Sequence, residues 1–120
     1  MFGWFRNPNA SSRAETRDIE IRNVGLDLAM EWGENWLCPI QDRLSSKYPD
    51  LDKEALDRYD RLCRAVMNEG HGLVWDMAEA GLDRVSNDEW KRQMKASYPW
   101  IDDSNLSRLF SQGMYYAWKG

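Results

Sequence analysis

From residue 12 onward apolar side chains recur every three to four positions, the period of helices that bury one face, and no stretch alternates long enough to carry a sheet. Ile21, Val24, Leu28, Trp32 and Trp36 form one stripe, with Ile19, Leu26, Met30 and Leu37 almost opposite. The spacing predicts a long first helix from Arg13 to about Leu37, stopped by Pro39 and opened by the capping box Ser12-Arg13-Ala14-Glu15. Apolar over more than half its circumference, this helix is expected to be the central element. A glycine inside a helix costs about 1 kcal/mol relative to alanine, so Gly25 and Gly33 are expected where another backbone approaches closely.

Beyond Pro39, read as the first helical position, the pattern predicts a short second helix over 40–47 and a third over 53–68. Two glycines flank the only histidine in Glu69-Gly70-His71-Gly72, where the helix is expected to kink or break before a fourth over 73–84. A second capping box, Ser86 with Glu89, opens a fifth helix to Ser97. A sixth runs from Asp103 to about Trp118 and buries Leu106, Leu109, Phe110, Met114 and Ala117, with Gly113 admitting a neighbour. Its aromatic end, Tyr115, Tyr116 and Trp118, is expected to dock on the fold.

One phrase occurs twice, fifty residues apart: Tyr48-Pro49-Asp50-Leu51-Asp52 with Leu56 and Arg58, and Tyr98-Pro99-Trp100-Ile101-Asp102 with Leu106 and Arg108. Proline disfavours helical geometry in the residue before it, so each tyrosine closes a helix. Asp52 and Asp102 then cap the next one, and Leu51 with Leu56, or Ile101 with Leu106, takes the positions of a hydrophobic staple. Ile40 and Trp90, and Leu44 and Met94, also lie fifty apart. The fold class expected is therefore all-α: a compact bundle of five to six helices, with two helix–YP–helix hairpins around the long N-terminal helix. Residues 1–11 form an apolar arm and 12–120 a single helical domain.

At 120 residues the chain buries roughly 65% of its unfolded surface without metal or disulfide staples. Seven Trp, five Tyr and three Phe supply more aromatic surface than a core of this size readily hides. A net charge of −4 without a basic stripe weighs against nucleic acid as a partner. No apolar run approaches the roughly 20 residues of a transmembrane helix, and the start lacks a signal peptide's pattern, so a cytoplasmic protein is expected. Cys38 and Cys63 have no metal-ligand or CxxC spacing and are expected as free buried thiols, with a bridge between them as the alternative.

His71 is the one side chain titrating near neutrality, and Glu69, Trp75 and Asp76 are near enough in sequence to build a ligand pocket with it at the helix break. The plainer reading is a histidine hydrogen-bonding at a helix junction. Glu20, Asp27, Glu31 and Glu34 form a solvated acidic face, and without a Glu-x-x-His pair no metal or other cofactor is expected. No nucleophile elbow, phosphate-cradling loop or other catalytic arrangement is present, which leans away from an enzyme. Phe2, Trp4 and Phe5 mark a possible interaction surface, packing on the domain or a dimer neighbour, or, with Arg6, on a membrane surface. The function expected is a non-enzymatic protein–protein interaction module: an adaptor, an inhibitor or a homo-oligomer, with another protein or a second copy as partner. The alternatives are a small-molecule-binding protein or enzyme with a pocket at the His71 break and, third, a peripheral membrane protein.

Overall fold

The two tyrosine–proline corners set the path of the chain. In the computed structural model, which describes residues 8–119, they join four of five α-helices: α1 (Pro8–Ala29), α2 (Gln41–Lys47), α3 (Lys53–Ala78), α4 (Asn87–Ser97) and α5 (Asp103–Lys119). The fold is all-α, with no strand among the described residues, and short 3-10 turns lie at Gly33–Asn35 and Leu82–Arg84.

Each corner is built the same way. Tyr48 (φ −132°, ψ 75°) and Tyr98 (φ −135°, ψ 73°) leave helical geometry, their N–H groups donating to the carbonyls of Leu44 at 2.9 Å and Met94 at 2.7 Å. Leu51 N–H then donates to Tyr48 O at 3.1 Å and Ile101 N–H to Tyr98 O at 3.2 Å. The Asp52 carboxylate accepts from Ala55 N–H and that of Asp102 from Asn105 N–H, both at 2.8 Å, satisfying donors that a first helical turn leaves orphaned. Ile40, Leu44, Trp90 and Met94 are all buried. The likeness extends upstream. The Tyr48 hydroxyl donates to Glu20 on α1 at 2.6 Å, and Tyr98 lies beside Glu69 on α3, one residue off the fifty-residue offset. The 3-10 turns precede α2 and α4 in matching places. The fold is thus two copies of long helix, 3-10 turn, short helix and corner, with α3 ending the first and beginning the second.

Because each short helix carries the chain back, the three long helices run parallel. Asp18 and Arg22 on α1 meet Tyr59 and Cys63 on α3, and Gly70 and Val74 on α3 meet Leu109 and Gly113 on α5. Asn23 and Asp27 on α1 meet Asn105 and Arg108 on α5. Missing side chains permit these approaches: a Cβ on Gly25 would lie 2.9 Å from Cys63 Sγ, and one on Gly113 2.7 Å from Val74 Cγ2. The neighbours of Gly25 are side chains, Cys63 and Ile40, rather than the backbone expected there, and a Cβ on Gly33 would meet none of the described residues within 4 Å.

Several boundaries differ from the sequence-based expectation. α1 starts at Pro8, whose missing N–H would be unpartnered in any first turn, so residues 8–11 belong to the helix rather than the arm. Ser12 lies inside it and is not a cap. Ser86 does cap α4, accepting from Glu89 N–H at 3.1 Å, while the Glu89 carboxylate turns to Arg92 and Gln93. Pro39 lies before α2, and Ile40 takes the position flanking it.

α1 ends at Ala29, not Leu37. The carbonyls of Leu28 and Met30 accept from Arg43 at 3.0 Å and Gln112 at 2.7 Å, so tertiary donors replace the next helical turn. Gly33 (φ 89°) and Leu37 (φ 66°) then take left-handed conformations. There is no break at His71 either. Gly70 admits Leu109 against its backbone and its carbonyl accepts Trp90 Nε1–H at 2.9 Å, so α3 runs unbroken to Ala78. With α1 on one side and α5 on the other, α3 rather than α1 is the central element.

Candidate interaction surface

Parallel packing gathers the C-terminal ends of α1, α3 and α5 at one end of the molecule. Among the described residues, five of the seven large apolar side chains left exposed lie on these last turns or just beyond them, Trp32, Trp75, Leu82, Tyr115 and Trp118, while Leu37 lines a separate cleft beside Arg64, Met67 and Asn68. Trp118, at 71% exposure, does not dock, and Trp32 and Leu37 stand outside any helix rather than in a core stripe.

Rings from two segments meet there. Trp32 and Trp36 have centroids 4.7 Å apart, Trp36 stacks on Tyr116 at 6.0 Å, and Trp32 meets Tyr115 edge-on at 5.8 Å. Such pairs add about 0.5–1.5 kcal/mol each beyond the area they bury. A cleft of about 460 Å³ opens beside them, bounded by Trp32, Arg108, Ser111, Gln112 and Tyr115. Arg43 holds the Trp32–Trp36 segment in place: its guanidinium donates to Leu28 O, to Glu31 Oε2 at 2.7 Å and to Cys38 O at 3.2 Å. Leu37, 61% exposed at φ 66°, is a non-glycine residue in a costly conformation, and such strain collects at functional surfaces.

Asp27 and Glu31 pair with Arg108 and Arg43, and Glu34, between the two tryptophans in sequence, has no ion partner among the described residues. Hydrogen bonds from Asn35 and then Arg43 hold the Glu31 carboxyl below the usual range. The negative ends of three helix dipoles point the same way. Lys119 offsets part of this, its Nζ lying 5.5 Å from the centre of the Tyr115 ring.

The structure separates the residues that sequence placed together at His71. Glu69 and Asp76 border a cleft of about 300 Å³ between α3 and α4, and Glu69 is engaged by Tyr98. His71 faces α5 instead, with Nε2 3.2 Å from Gln112 Oε1 and its ring 5.4 Å from Tyr116. Trp75 is nearly half exposed one turn further along α3. Phe2, Trp4 and Phe5 lie outside the described residues. Of the cysteines, Cys63 is buried, its thiol pushed up to about 12 by burial and then by Asp60, but Cys38 is exposed; both are free. Sequence reasoning missed the aromatic end because Trp32 and Trp36 fit the helical period of α1. The signal that was available is the surplus of aromatic residues.

Burial holds the His71 pKa below its ordinary value against the opposing pull of Gln112. The folded chain therefore binds fewer protons than the unfolded one just below pH 6.5, so stability is full above that pH and falls as His71 protonates in the unfolded state. Denaturant midpoints are expected to drop between pH 7.5 and 5.5, above the range of the carboxylates, and to flatten in His71→Gln. Equal slopes for both chains would show that His71 is not the cause.

These features define an all-α protein of three parallel long helices with an exposed aromatic end. No family model, curated protein or solved structure matches the chain. No described helix is long and apolar enough to cross a membrane, and no group of three or more His, Cys, Asp or Glu among the described residues is placed to hold a metal ion.

Proposed function

We propose that this protein is a non-enzymatic protein–protein interaction module whose docking face is the aromatic end. The observation that carries this reading is the concentration there of five of the seven large apolar side chains exposed among the described residues, since exposed apolar surface marks partner sites and Trp and Tyr dominate their energetics. Glu34 and the helix C-termini favour a partner segment that is itself aromatic and basic. His71, the natural acid–base candidate, is engaged with Gln112 and Tyr116 in support of this face.

Selection from a displayed random-peptide library tests the reading. Recovered sequences are expected to be rich in aromatic residues, Lys and Arg, and to lose at least tenfold in affinity for a chain carrying Trp32→Ser and Trp118→Ser. Peptides that bind both chains equally would place the docking face elsewhere; no enrichment over several rounds would count against a peptide-binding module.

A further inference from the structure

Resting on that reading, we infer that the aromatic end receives the N-terminal segment Phe2-Gly3-Trp4-Phe5-Arg6 of a second copy of this chain. The segment has the chemistry this end favours, three aromatic side chains followed by a guanidinium. Its own aromatic end is out of reach. α1 has 22 residues and so rises about 33 Å from Pro8 to Ala29, with Trp32 and Trp36 further on. Phe2 lies six residues before Pro8 and extends at most about 20 Å, Trp4 and Phe5 less.

Among its described residues, the near end of α1 offers no substitute. Residues 12–17 of α1 are exposed and, apart from Ala14, polar, and the first large exposed apolar side chain beyond them is a single one, Ile19. Two chains with antiparallel α1 helices bring each arm to the other's aromatic end, so the exchange closes as a two-fold dimer rather than an open filament. Aromatic side chains bury ~150–250 Å² each, so the six in two arms hide ~900–1,500 Å² before the receiving surface is counted. A specific interface needs about 1,200–2,000 Å² in all.

Sedimentation equilibrium of the full chain, of a chain lacking residues 1–6, and of the full-length Trp32→Ser/Trp118→Ser chain tests this, with circular dichroism melts confirming that each variant folds. The full chain is expected to be a dimer at micromolar concentration and both variants to dimerise at least tenfold more weakly. A synthetic Met1–Asn7 peptide is expected to shift the indole NMR resonances of Trp32 and Trp36 in the truncated chain. A truncated chain that dimerises like the full one would overturn the inference while leaving the docking face intact, provided the serine variant is monomeric. A dimer that survives the serine substitutions would sink both readings. A monomeric full chain that co-sediments with phosphatidylcholine vesicles only when residues 1–6 are present would assign the arm to a membrane surface and overturn the inference.

Discussion

Trp90→Ala is expected to destabilise the protein by about 3–5 kcal/mol, the range for truncating a buried Trp or Phe. Trp90 is fully buried at the start of α4, 5.2 Å from the Phe110 ring on α5, and its indole N–H is bonded to the Gly70 carbonyl on α3. It wedges the second copy of the repeat together from three helices at once. Against a total stability of about 5–15 kcal/mol for a domain, the loss leaves a substantial unfolded fraction in any but a robust variant. Trp90→Phe keeps much of the packing and gives up the hydrogen bond, so it is expected to cost about 1 kcal/mol for the bond plus part of the lost volume. Trp118→Ala, at a side chain 71% exposed, is expected to stay within about 0.5 kcal/mol. Urea denaturation of the three chains checks the order. Comparable midpoints for Trp90→Ala and the parent would refute the wedge.

Asn23→Ala is expected to cost about 2–3 kcal/mol although it removes no apolar volume from the core. The Asn23 amide ties α1 to the second corner through both its donor and its acceptor: Nδ2 donates to Trp100 O at 2.8 Å, while Oδ1 accepts from Asp102 N–H at 2.9 Å and Asn105 Nδ2 at 3.1 Å. Asn105, 4% exposed, keeps its bond to the Asn23 carbonyl at 2.9 Å, but the side-chain bonds to Trp100 O, Asp102 N–H and Asn105 Nδ2 are lost together, and leaving such groups unsatisfied costs about 1–3 kcal/mol. Asn105→Ala alone is expected to cost a similar amount, and the double variant less than the sum of the two. That shortfall is the coupling a double-mutant cycle reads. Additive losses from denaturant melts would show that the two asparagines act independently.

Local signals were legible where they are strictly local. Asp52, Ser86 and Asp102 cap the helices they were read to cap, because a side-chain oxygen and an N–H three residues on need nothing from the rest of the chain. The same grammar at Ser12 misled, since the upstream Pro8 already starts a helix and a capping box inside one has no orphan donors to satisfy. The glycines around His71 misled in the opposite direction. They read as breakers, yet Gly70 is where Leu109 and Trp90 approach, and packing from two other helices outweighs a propensity cost of about 1 kcal/mol. The end of α1 was illegible for a related reason: nothing near Ala29 announces that Arg43 and Gln112 will take the carbonyls of Leu28 and Met30.

By itself the sequence determined that the chain is helical, where its corners fall and that its aromatic residues outnumber what a small core hides, because period, caps and composition act over a few residues or over none. Only the tertiary structure decided that the long helices run parallel, that α3 is central, and that the surplus aromatic side chains collect at one end. Those outcomes depend on which residues far apart in the chain meet. Parallel packing follows from two short return helices of particular length and angle, and a step that small in the chain decides which ends of the long helices share a face.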